Sequence, residues 1–189
     1  MLKLIVGLGN PGPTYEKTRH NAGVWFIEYL AGVSHKTFKL EKRFHSLLAS
    51  IQIDSQTCLL AYPTTFMNNS GRAVQAIAHF YNYKPEEILI AHDDLDLSVG
   101  IARLKMGGGH GGHNGLRDIT QSLGSAEFAR LRIGIGHPGQ KEQVLHYVLG
   151  APPRGDRDLI DASIADAARV MNEVVNGSIQ KAMTELHTQ

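Results

Sequence analysis

The stretch Leu2-Lys3-Leu4-Ile5-Val6-Gly7-Leu8-Gly9-Asn10-Pro11-Gly12 decides how the chain is read. Leu2 to Val6 is a short apolar run of strand type, and Gly7 ends it. Gly7, Gly9 and Gly12 satisfy the G-x-G-x-x-G spacing of a dinucleotide-binding turn, in which a helix opens at once and its N-terminus caps a phosphate. Pro11 and Pro13 flank the last glycine, and two such prolines form a rigid turn more readily than a helix start. The first helical periodicity comes about ten residues later, at Ala22. The stretch also nearly matches a P-loop, but Pro13-Thr14 stands where a Lys-Ser/Thr pair must follow, so a phosphate there has no cation. Three readings stay open for this loop: a nucleotide site, a plain strand-ending turn, or a pocket wall that presents Asn10.

Ser46–Ile53 and Thr57–Ala61 read as strands joined by Asp54-Ser55-Gln56, and Ile88–Ala91, Ile101–Lys105 and Arg130–Ile135 read as further strands. Helices are expected at Ala22–Gly32, Ala73–Tyr81, Leu116–Leu123, Lys141–Leu149 and Asp156–Val175, with a short one after Gly177. In the helix from Asp156, residues Ile160, Ile164, Ala167, Ala168, Met171, Val174 and Val175 line one face. Strands interleaved with helices predict an α/β fold: a single-domain sandwich over residues 1–189 with a mixed sheet.

A chain of 189 residues buries a core without disulfides or a structural metal. Lys+Arg 19 against Asp+Glu 18 leaves a net charge of +1, so any nucleic-acid site has to be a local patch. The single Cys58 excludes an internal disulfide and a cysteine zinc site, and its apolar strand makes it core rather than nucleophile. No G-x-S-x-G elbow is present. No run approaches the ~18 apolar residues of a membrane span, and no signal peptide is legible, so a cytoplasmic protein is expected.

What remains for chemistry is a set of His, Asp and Asn residues at strand ends and in the loops after them: Asn10, His20-Asn21, Asn68-Asn69, His92-Asp93 and His113-Asn114. A histidine beside a carboxylate takes a proton from water directly, and asparagine amides both donate and accept. That chemistry is hydrolysis without a covalent intermediate or a metal. The chain has ten histidines, so which ring meets which carboxylate stays open. Gly107–Gly115 reads GGGHGGHNG, and six glycines in nine residues forgo side-chain packing. His110 and His113 form an H-x-x-H pair, and Asp93, Asp94 and Asp96 are near enough in sequence to make a metal the local alternative. Arg103 with Lys105, and Arg130 with Arg132, alternate along two strands, which puts each pair on one sheet face. They read as a phosphate clamp or as a solvated face.

Five motifs occur in order: VGLGNPGPTYEKTRHNAG, PTTFMNNSG, AHDDLDL, GGGHGGHNGL and RLRIGIGHPG. On them the chain resembles the bacterial-type peptidyl-tRNA hydrolases from Leu4 to about His187, nearly its whole length. The resemblance implies a mixed, mostly parallel sheet flanked by helices, and a monomeric enzyme without metal or cofactor. It implies hydrolysis of the ester between a nascent, N-blocked peptide and the 3′ ribose of tRNA, which frees both from ribosome-free peptidyl-tRNA. His20 matches the family's base and Asp93 the carboxylate that holds it. Asn10 matches the residue that orients the site and senses a blocked peptide. Asn68 and Asn114 match residues that bind the peptide or terminal ribose and the water. Tyr15 and Phe66 match tRNA-contacting aromatics, His113 an active-site loop position, and Lys105 and Arg132 a clamp on the tRNA 5′-phosphate. Two departures stand out: Asp94 where relatives often carry Glu, and His110 where they often carry Ser. Another carboxylic-ester hydrolase on the same scaffold, or a non-catalytic RNA-binding protein, are the rival readings.

Overall fold

The parallel centre of the sheet follows from its composition, because strands covered on both faces read as continuous apolar runs. In the computed structural model, which describes residues 1–188, β1 (Leu4–Gly7) is buried at every position. The other strands are β2 (Lys39–Glu41), β3 (Ser46–Ile53), β4 (Gln56–Pro63), β5 (Ile88–Asp94), β6 (Ala102–Met106) and β7 (Ala129–Gly134). They form one sheet in the order β2-β3-β4-β1-β5-β7-β6. β4, β1, β5 and β7 run parallel, while β2–β3, β3–β4 and β6–β7 pair antiparallel. The sheet is therefore mixed and mostly parallel, as the resemblance implied.

Helices cover both faces: α1 (Ala22–Val33), α2 (Ser70–Tyr81), α3 (Asn114–Leu123), α4 (Val144–Val148), α5 (Arg154–Arg169), α6 (Met171–Val175) and α7 (Ile179–His187). On one face Ile5, Leu89 and Leu131 pack with Phe26 and Ile27 of α1 and Ile164 of α5. On the other, Leu4, Val6 and Ile90 pack with Val74 and Ile77 of α2 and Leu116 and Ile119 of α3. Among the described residues no helix is long and apolar enough to cross a membrane.

The parallel strands point their carboxyl ends to one side, the usual place for a site in such sheets. From that side emerge the loop holding Asn10, the turn holding Asn68, and the end of β5 with Asp93. α1 approaches the sheet backbone to backbone: a Cβ on Gly23 would lie 2.1 Å from the Ala91 carbonyl oxygen, and one on Gly7 would lie 2.4 Å from that of Gly23. The 3-10 turn Arg19–Asn21, with His20 at its centre, leads straight into α1.

Several boundaries differ from the sequence reading. After Gly12, at φ +97°, the chain makes turns closed by Tyr15 N–H to Gly12 O (3.1 Å) and Thr18 N–H to Tyr15 O (3.0 Å), so no helix opens on the glycine loop. β5 runs on through His92 to Asp94, and α2 starts at Ser70. Lys141–Leu149 divides into a 3-10 turn (Lys141–Gln143) and α4. The long helix expected from Asp156 starts earlier, behind Pro153, and breaks at Val170 (φ −97°, ψ 5°) into α5 and α6, although the apolar stripe continues across the break. The edge strand β2 carries no legible alternation, because two of its three residues are exposed.

Candidate active site

Asp93, at the carboxyl end of β5, is 3% exposed. His20 Nδ1 lies 3.0 and 2.9 Å from its two oxygens, and His113 Nε2 lies 2.8 Å from Oδ1. His113 is also the N-cap of α3: its Nδ1 accepts the N–H groups of Gly115 (3.1 Å) and Leu116 (3.4 Å). An imidazole that accepts at Nδ1 carries its hydrogen on Nε2, so His113 donates to Asp93. Protonating Nδ1 would aim an N–H at two others and at the positive end of α3. Asp93 thus accepts from His113, and its remaining capacity takes the Nδ1–H of His20. That leaves the Nε2 lone pair of His20 free.

The electrostatics agree. Burial of Asp93 favours its neutral acid, but the two imidazoles and their hydrogen bonds win and hold its carboxyl far below the usual carboxylate range. Burial of His20 favours its neutral ring, yet the charge and hydrogen bond of Asp93 overcome this and raise its pKa. His92, next to Asp93 in sequence, faces the other way. Its Nδ1 donates to the Asp93 main-chain oxygen (2.8 Å), its Nε2 is buried without a hydrogen-bond partner among the described residues, and burial with neighbouring His113 pushes its pKa down to about 4.

Asn10 is fixed from behind. Its N–H donates to Asn21 Oδ1 (2.9 Å) and its carbonyl accepts from Asn21 Nδ2 (3.0 Å). Its own Oδ1 accepts the Met67 N–H at 2.7 Å, which leaves its Nδ2 donors for another molecule. Asn68 and Asn114 are exposed, and among the described residues no protein group holds their amides. The rings of Tyr15 and Phe66 meet edge to face at 6.1 Å, with Phe66 half exposed.

The register Arg103↔Arg132 and Lys105↔Arg130 puts all four basic side chains on one sheet face. They then part company. Lys105 is exposed, and Arg132 uses Nε on Asp94 (2.7 Å). Arg130 is buried under the glycine loop, where its guanidinium donates to the carbonyls of Gly108 and Gly109.

His110 does not join His113 as a ligand pair; its Nδ1 accepts the Gly112 N–H at 3.0 Å. The group whose ligand atoms do converge, within 4.8 Å, is His20, Asp93 and His113. His113 has no lone pair to offer there while it caps α3, so the donor set fits a hydrogen-bonded carboxylate better than an ion.

Met67 takes part through its main-chain N–H, which leaves no side-chain signal in the sequence. Asn21 was legible beside His20, but not as the brace of Asn10. Arg130 was legible as a basic residue, but not as a buried one.

Among the described residues no Ser, Thr or Cys hydrogen-bonds to His20, so its free nitrogen faces solvent and not a side-chain nucleophile. An α/β enzyme able to draw a proton from water is the class this arrangement defines. The comparisons make it specific. The family model for peptidyl-tRNA hydrolase matches residues 4–189. The chain is 55% identical over 188 residues to the peptidyl-tRNA hydrolase of Psychromonas ingrahamii, covering 99% of this chain and 95% of the relative. It is 54% identical over 187 residues to that of Coxiella burnetii, covering 99% and 98%. The crystal structure of peptidyl-tRNA hydrolase from Acinetobacter baumannii superposes with a TM-score of 0.95 at 48% identity, covering 98% of this chain and 94% of that one. The chain belongs to the peptidyl-tRNA hydrolase family, whose enzymes hydrolyse peptidyl-tRNA.

Proposed function

We propose that this enzyme frees tRNA by hydrolysing the ester between an N-blocked peptide and the 3′ ribose, with His20 as the base that activates water. The reading rests on one observation, the 2.9 Å contact between His20 Nδ1 and Asp93. It fixes the tautomer of His20 and leaves Nε2 to take the proton. The hydroxide-like water adds to the ester carbonyl, and the 3′ hydroxyl leaves with a proton returned from His20. Asn10 Nδ2, Asn114 or N–H groups of the glycine loop stabilise the oxyanion.

Asn10 also senses the blocked peptide, while Asn68 and Asn114 hold the peptide and terminal ribose. Tyr15 and Phe66 offer stacking faces to terminal bases. Lys105 and the terminal nitrogens of Arg132 hold the 5′-phosphate. His113 acts by donating to Asp93. Residues 1–189 work as one catalytic domain, as a monomer in the cytoplasm, without a metal.

A release assay tests this. N-acetylaminoacyl-tRNA should be cleaved far faster than unblocked aminoacyl-tRNA or a simple ester, with or without EDTA. Equal rates on the simple ester would point to a general esterase, and loss of activity in EDTA would restore the metal.

A further inference from the structure

The glycine loop between β6 and α3 has little to hold it. Gly107, Gly108, Gly111 and Gly112 sit at φ +62°, +101°, +58° and +81°, and two of its hydrogen bonds, His113 N–H to His110 O and Gly112 N–H to His110 Nδ1, are internal. Among the described residues its hydrogen bonds to the body are Gly107 N–H to Phe128 O (3.1 Å), the His113–Asp93 bond, and those of Arg130, beside ring contacts of His113 with His20 and His92. Arg130 is unusual. It is 2% exposed, it makes no carboxylate contact within 4.0 Å among the described residues although Glu127 acts on its charge from farther off, and its guanidinium carbon lies 4.7 Å from the centre of the Phe128 ring. Among the described residues its Nε has no hydrogen-bond partner, while its two terminal nitrogens go to Gly108 O and Gly109 O. A buried guanidinium with no carboxylate in direct contact is costly, and core packing alone would be served better by an apolar residue. The fork spans adjacent carbonyls, which a point charge cannot do.

We propose that Arg130 is a positioning residue that latches the glycine loop and so sets His113 and Asn114 against the catalytic centre. The inference rests on the reading of His20 and Asp93 given above. Arg130 acts through the loop carbonyls, His113 and then Asp93, and does not touch substrate.

The test uses the full chain with Arg130→Gln and Arg130→Lys, assayed on N-acetylaminoacyl-tRNA beside His20→Ala. Arg130→Gln should lower kcat by about 10- to 100-fold, as expected when catalytic groups lose their placement. KM and its salt dependence should stay as in the wild type, and amide hydrogen exchange across residues 107–113 should quicken. Arg130→Lys, which keeps the charge but reaches one carbonyl, should fall between. A raised KM with a weaker salt dependence would make Arg130 a phosphate ligand and overturn the proposal, as would wild-type kcat and loop exchange. Should Arg130→Gln fail to fold, Arg130→Lys decides alone by the same two readings. Turnover surviving in His20→Ala sinks the catalytic reading itself; an inactive His20→Ala with wild-type Arg130 variants sinks only the latch.

Discussion

His113 meets Asp93 with its Nε2, 2.8 Å from Oδ1, while the start of α3 occupies its other nitrogen. The two imidazoles on this carboxylate are therefore unequal: one is locked as a donor, and one is free to accept a proton. His20→Ala should cut turnover by about 10² to 10⁴ with tRNA affinity intact. His113→Ala should cost less turnover but lose about 1 kcal/mol of stability with its cap. Single-turnover release, tRNA binding and urea unfolding measure the three quantities, and a His113 variant slower than His20→Ala would reverse the assignment.

The acid limb of activity should follow His20. With His20 as the proposed base its neutral ring is the active form, and Asp93 raises its pKa, so kcat/KM should climb with pH and level off above the ordinary histidine value. Asp93→Asn removes what raises the pKa and leaves burial, which lowers it. The midpoint should then move to lower pH while the plateau falls. A midpoint that stays put in this variant would mean another group titrates.

The phosphate clamp predicts a different signature. Lys105→Ala and Arg132→Ala should each raise KM and reduce the slope of log KM against log salt by about one. kcat at saturation should change little. Steady-state kinetics between low and moderate salt decide it, and an unaltered slope counts against a phosphate contact.

Stability in mild acid should report His92. Its folded pKa of about 4 lies below the unfolded histidine value, so the unfolded chain binds the proton more readily. Stability is full above the unfolded value and is lost as pH falls from there toward 4, by up to about 3 kcal/mol from this group. Asp93 acts in the same direction at lower pH: its depressed pKa contributes stability that is lost only below the ordinary carboxylate range. Unfolding of His92→Gln should therefore depend less on pH between 6.5 and 4, whatever the substitution costs at neutrality. An identical slope would show that His92 is not the group responsible.

The apolar runs of β1 and β5 and the period of α1 made the α/β layering readable from local sequence, since burial on both faces leaves a contiguous signature. The site was readable as residue types at strand ends. Its wiring was not. His92 adjoins Asp93 in sequence yet turns to the opposite sheet face, while His20 comes from 73 positions away. An imidazole cap on α3 falls outside the Ser/Thr/Asp/Asn set by which helix starts are recognised, so the sequence pattern places the helix start at Leu116 and not at Asn114. Arg130 and Arg132 share one alternating pattern, and only the path of the glycine loop determines which is covered.

The seam where α1 meets the sheet has a consequence for engineering. Replacing a helical glycine with alanine is a common way to harden a protein against heat. At Gly23 there is no clearance for the methyl group, which would strike the Ala91 carbonyl at 2.1 Å. The helix would have to lift, and the imidazole three residues upstream would ride with it, away from a carboxylate anchored on the strand below. The substitution that hardens other helices would therefore cost both stability and turnover here, at a position that supplies no atom to the reaction.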